Sequence, residues 1–345
     1  MALDGAAFSP KQFGLAIQAE STIGTKKTDG MRRINVDNVE MPSFNLTQVM
    51  EARSGTSGRV ADKDDVLIDQ KGVGKEISFS GVLDTDVAPI LIQSVIAKDH
   101  TDNIVSIGFD YSPPELQTDD NSSITIADTF TLAILNPNAG NSADSGNSNM
   151  IFKGCTITSL QITGDMANES GRLRFSATAK TGYIAEFNQA NPTISNSYGN
   201  NFYSLATLSG AKTIAGCIDS VVQSFSLNIE NPSEYVGQHD SSGNPEAIVR
   251  AVPEISVNLD ATIKYDANTS ILFQRMNTGT AAAAFDAPFL LCNESGLSES
   301  GTTFGIQADE ARITNLAYNE ANAMMIDVST KAVAGASGNM FSIHF

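Results

Sequence analysis

Glu254-Ile255-Ser256-Val257-Asn258-Leu259-Asp260-Ala261-Thr262-Ile263-Lys264-Tyr265 decides the fold class. Ile255, Val257, Leu259, Ala261, Ile263 and Tyr265 fall on one face, and every residue between them is polar. A period of two marks a strand with one side on a core and the other in water. Residues 75–83 repeat the pattern, with Ile77, Phe79 and Leu83 sharing a face. It recurs at 43–50, 124–135, 172–178, 224–230 and 325–329. Ser and Thr fill the polar faces, and Ile, Val and Phe the apolar ones. That composition suits antiparallel sheets with one wet face, so the chain is expected to be all-β and mainly antiparallel.

Helical signals are few. One spans 84–97, with Asp84 or Asp86 as cap, Pro89 in the first turn, and Val87, Ile90, Leu91 and Val95 as its apolar stripe. The other spans 268–276, with Asn268 as cap and Gly279 past its end. Each follows an alternating strand, which points to a repeat. Ser43-Phe44-Asn45-Leu46 resembles Ser224-Phe225-Ser226-Leu227, 181 residues on. Glu76-Ile77-Ser78-Phe79 resembles Glu254-Ile255-Ser256-Val257 at an offset of 178, and Ile157-Thr158-Ser159-Leu160 resembles Ile313-Thr314-Asn315-Leu316 at 156. The order of the matches implies a tandem duplication. Residues 1–183 are then an N-terminal arm plus a first β domain, 184–218 a polar surface linker, and 219–345 a second β domain. Each domain is sandwich- or barrel-like with one short flanking helix.

The 345 residues are enough for two such cores. A net charge of −18 argues against clamping nucleic acid, which needs clustered cations, and against binding an anionic membrane. No apolar run approaches the roughly 20 residues of a membrane span. Met1-Ala2-Leu3-Asp4-Gly5 lacks the basic-then-apolar start of a signal peptide. Cys155, Cys217 and Cys292 are too few and too scattered for a zinc site or a disulfide framework, and read as buried small apolar residues.

No enzyme is expected. His100, His239 and His344 have no motif partners for nucleophilic catalysis. Gly72-Val73-Gly74-Lys75 precedes a strand, whereas a phosphate loop precedes a helix. Asp62-Lys63-Asp64-Asp65 fails as a calcium loop, because the required Gly and Glu positions hold Leu67 and Val73. No metal or other cofactor is implied. The long connection 51–75 is uncommon for a compact domain unless it is functional or disordered. Its mixed charges suggest that it docks on something, with Arg53, Arg59, Asp62, Lys63, Asp64, Asp65, Asp69 and Lys71 as the candidate contact residues. Residues 230–250 form its counterpart in the second half.

The order of these pieces resembles the tail tube (major tail) proteins of long-tailed bacteriophages. The resemblance lies in the opening strand Phe13-Gly14-Leu15-Ala16-Ile17-Gln18-Ala19-Glu20 with Gly24-Thr25 after it, in 77–83 leading into 87–96, in Ile157-Thr158-Ser159-Leu160-Gln161-Ile162-Thr163-Gly164-Asp165, and in 222–231 followed by 255–275. It implies stacked rings around a DNA-conducting lumen, with DNA passing through without sequence-specific binding. A chain with two tube domains is similar to those that form trimers with pseudo-sixfold symmetry, a hexamer being the other option. Other tail proteins would meet the tube at both ends, in a virion assembled in the host cytoplasm. The excess acid is expected to repel DNA phosphate from the lumen wall. A terminator or baseplate-hub ring, or a surface-layer or adhesin-like β protein, are the alternative readings.

Overall fold

A computed structural model describes residues 12–40, 48–50, 66–68, 75–98, 100–108, 116–117, 129–136, 149–195, 201–236, 245, 247–249, 254–279, 286–320, 324–335 and 339–345. Strand accounts for 53% of the described residues and helix for 10%, so the fold is all-β, and every ladder between the described strands is antiparallel.

The first half opens with β1 (Gly14–Ala19), β2 (Arg32–Ile34), β3 (Val36–Val39), β4 (Gln48–Met50), β5 (Val66–Ile68) and β6 (Lys75–Val82). Helix α1 (Ala88–Ile96) follows, then β7 (Ile104–Gly108), β8 (Leu116–Gln117), β9 (Phe130–Leu135), the long β10 (Asn149–Asp165), β11 (Arg174–Thr181) and β12 (Glu186–Gln189). The second half runs β13 (Ala211–Thr213), β14 (Val222–Glu230), β15 (Glu234–Val236), β16 (Ala247–Val249), β17 (Ser256–Lys264) and α2 (Ile271–Thr278). It ends with β18 (Phe289–Cys292), β19 (Gly305–Ala308), β20 (Ala311–Asn319), β21 (Met325–Ala332) and β22 (Asn339–His344).

The main sheet contains one four-strand arrangement twice. Its order is β3-β6-β11-β10, then β14-β17-β21-β20. The irregularities repeat as well. The β3–β6 pairing shifts register between Val36 and Asn38, and β14–β17 shifts between Val222 and Ser224. The β10–β11 pairing shifts between Ile157 and Ser159, and β20–β21 between Ile313 and Asn315. A bulge is a specific local feature, so two coincident bulges are stronger than a shared strand count.

These registers keep one sequence match and move two. Ile157 does correspond to Ile313. Gly81, however, corresponds to Ile263, an offset of 182 and not 178, while Val39 corresponds to Phe225, an offset of 186 and not 181. Alternating strands look alike at every even shift, which explains the slip of four between β6 and β17; the slip of five is odd and has no such explanation, and residues 43–46 lie outside the described ones.

A second layer follows the same scheme, with β1-β9-β10-β12 in the first half and β13-β18-β19-β22 in the second. β10 serves both layers, its register shifting between Phe152 and Cys155, beside Gly154 at φ +58°. In the second half the chain breaks at the same place, into β19 and β20. β7 crosses from the first half to pair with β22, and β8 pairs with β16.

An aspartate two residues past a strand holds the turn that leads into each helix, and the N-cap residues themselves are Val87 and Ser270 rather than the expected Asp84 or Asp86 and Asn268. Asp84 Oδ1 accepts from the backbone N–H groups of Asp86 (3.0 Å) and Val87 (2.9 Å). Asp266 Oδ1 accepts from Asn268 (2.9 Å) and Thr269 (3.1 Å). α1 ends at Ala97 in the left-handed conformation, and Gly279 caps α2.

The expected linker 184–218 is packed where it is described. Its β12 and β13 join the second layer, and Tyr203, Leu205, Leu208, Ile214 and Ala215 are buried in the core. One hydrophobic cluster spans both halves, from Leu15 and Phe79 to Val257 and Phe341. Among the described residues no helix is long and apolar enough to cross a membrane.

Candidate assembly interface

The contact between the halves shows how one unit recognises another. It begins as a ladder, β10 against β14, from Ser159 opposite Glu230 to Asp165 opposite Ser224. Alternate residues point inward, so Leu160, Ile162, Leu227 and Ile229 are fully buried across the junction. Beyond β14 the chain turns over the first half. Asn231, itself 1% exposed, bridges to the first half: its N–H donates to the Thr158 carbonyl (2.9 Å) and its Nδ2 to the Val95 carbonyl of α1 (2.8 Å). Ser233 Oγ lies 2.9 Å from Thr156 Oγ1. The Tyr235 hydroxyl is 2.7 Å from the Lys180 carbonyl and 3.0 Å from that of Gly154, sharing its one proton between them. A Cβ at position 182 would collide with the Tyr235 ring, which explains Gly182. The β15–β16 hairpin is therefore a clamp, holding the second half on the first.

The β4–β5 hairpin occupies the same place in the first half, between the unit's first and second strands. The connection singled out in the sequence, 51–75, begins just past β4 and contains β5. Arg53, Arg59, Asp62, Lys63, Asp64, Asp65, Asp69 and Lys71 all lie outside the described residues.

The solvent face of the main sheet is hydroxyl- and amide-rich, with Ser159, Gln161, Thr163, Ser226, Asn228, Thr262 and Ser329 near its middle. Its charges nearly balance: Glu76, Asp165, Glu230, Asp260 and Asp327 against Arg174, Lys180, Lys264 and Lys331. The net acid of the chain is therefore not concentrated on this face. Ion pairs such as Arg174 with Asp37 and Glu169, and Arg312 with Asp286, are half-exposed and contribute about 0–1 kcal/mol each.

Sequence reasoning missed one polar centre. Glu20 is 3% exposed, and its carboxylate accepts from Gly24 N (2.9 Å), Gly154 N (2.9 Å) and Thr131 Oγ1 (2.8 Å). Burial raises its pKa above the ordinary 4.5, partly offset by those hydrogen bonds. Gly24 and Gly154 both have positive φ, and a Cβ on either would strike the Tyr183 ring. The Glu20-x-x-x-Gly24 spacing thus ties the end of β1 to the bend in β10. Cys155, Cys217 and Cys292 are buried free thiols, and burial pushes the first two up in pKa. His344 Nδ1 is 2.8 Å from the Leu297 carbonyl, and His100 packs edge-on to Phe345. Among the described residues no group of three His, Cys, Asp or Glu side chains is placed to hold a metal. No protein-family model and no curated protein matches this chain.

Proposed function

We propose that this chain is a self-assembling structural protein of a long-tailed bacteriophage tail, whose rings stack into the tube that conducts DNA. One observation carries the reading. A single β unit occurs twice, joined head to tail in a continuous sheet with one polar face. Head-to-tail contacts between like units close into rings or extend into filaments. Three chains of two units make a pseudo-sixfold ring. The polar sheet face is the surface we assign to the lumen. Its hydroxyls and near-balanced charges would let DNA slide because the wall stays hydrated and offers no cation cluster to hold phosphate.

Negative-stain electron microscopy of the purified chain, with native mass spectrometry of the same sample, tests this. Hollow rings or tubes with masses in multiples of three chains are expected. Sixfold multiples of the chain would replace the pseudo-sixfold arrangement with a true hexamer. Single rings that never stack would move the assignment to a terminator or hub ring. A monomer at every concentration, with or without a tail-tip seed, would overturn the reading.

A further inference from the structure

The ladder that joins the two halves has an open counterpart at each end of the main sheet. β20 holds the place in the second half that β10 holds in the first, and β3 holds the place of β14. Inside the chain β10 and β14 pair with each other. β20 and β3 are the two outermost strands of the eight, and each has one ladder partner among the described residues. An edge strand presents unpaired N–H and C=O groups, which another chain can continue.

Side-chain burial marks the same edge. Leu160 and Ile162 on β10 are fully buried. Leu316 and Tyr318, at the same places on β20, are only partly covered, and Tyr318 is 49% exposed. Its ring stacks on Phe273 of α2 at 3.9 Å. The helices differ in the same sense. α1 buries Ala88, Leu91, Ile92, Ser94, Val95 and Ile96, whereas α2 buries only Leu272 and leaves Ile271 and Met276 exposed. The second half covers α1 partly through Asn231. No described residue does the same for α2.

We propose that β20 of one copy pairs antiparallel with β3 of a second copy, in the register of the internal β10–β14 ladder, with the second copy also covering the exposed side of α2. The internal ladder places Thr163 opposite Ser226. The equivalent residues are Asn319 and Glu40, so these two stand opposite each other across the new contact. The chain already makes this contact once within itself, which is why the occupant is another copy and not a foreign strand. The contact is heterologous, since β20 meets β3 and never a second β20. It rests on the self-assembly part of the reading above and not on the phage-tail role.

The test uses the full chain carrying Glu40→Cys and Asn319→Cys together. The native cysteines are buried, so the new pair dominates exposed thiol chemistry. Mild oxidation should give a ladder of disulfide-linked multimers. Mixing the two single variants should give one covalent dimer, and neither alone should cross-link. Tyr318→Asp should weaken self-association about tenfold or more with an unchanged circular-dichroism spectrum. Asn319→Cys cross-linking to itself would overturn the proposal. So would multimers by native mass that never cross-link through the pair, an outcome that leaves self-assembly intact. A monomer at all concentrations would remove both.

Discussion

Glu20 is buried and anchored on three sides. Its carboxylate satisfies donors from three separate segments, at positions 24, 131 and 154. Removing it strands buried N–H groups, each costing about 1–3 kcal/mol, so Glu20→Ala should destabilise the fold by about 3 kcal/mol in urea unfolding. Its folded pKa lies above the unfolded value, so the native state binds its proton more tightly. The resulting stabilisation is complete below the unfolded pKa and is lost as pH rises through the folded pKa. The midpoint difference between wild type and Glu20→Gln should therefore move against the wild type between acid and neutral pH; a shift the other way would show that the carboxylate is not desolvated. None of this is readable locally. The sequence shows Glu20-x-x-x-Gly24-Thr25, but two of the three donors lie 111 and 134 residues away.

Among the elements, the strands with one wet face were the legible ones. β6, β14 and β17 alternate cleanly because one side meets water and the other the core. The first helix was legible from its aspartate, Pro89 and apolar stripe, and the second from Asn268 and Gly279; both form within a few residues of the expected bounds, though the second has Ser270 and not Asn268 at its N-cap. β7 was not anticipated. It earns its place only by pairing with β22, and the Ser106 and Ser342 hydroxyls that meet there at 2.8 Å are 236 residues apart. The aspartates that hold the turns before the helices give a prediction at this scale. Asp84 is 4% exposed, beneath a helix buried on several sides. Asp84→Ala should cost about 2 kcal/mol and Asp266→Ala about 1 kcal/mol, since each leaves two turn N–H groups without an acceptor and α2 lies half open. Equal losses in chemical unfolding would contradict the asymmetry between the helices. The candidate loop residues 53–71 were chosen for charge and for the length of the connection, and they lie outside the described residues.

For the whole molecule, charge and edges oppose each other. Every copy carries a formal −18, so like copies repel at long range. Salt shortens that reach to about 8 Å at 0.15 M. Sedimentation should therefore show larger assemblies as salt rises from about 20 mM to about 300 mM; assemblies that dissolve over that range would mean cross-copy ion pairs dominate. Of the three sequence matches that suggested a repeat, only 157–160 with 313–316 keeps its register; the other two fall on alternating or undescribed residues, which carry no register signal. β10 carries a last consequence. Its 17 residues bend at Gly154 and belong to both layers without an intervening loop. Under tension a layered protein yields where a loop lets its layers slide, and in the first half no such slip plane exists along this strand. A pull on one layer loads the other in shear through a continuous backbone. The second half, cut at Asp309-Glu310 between β19 and β20, is then the part that gives first when the molecule is stretched.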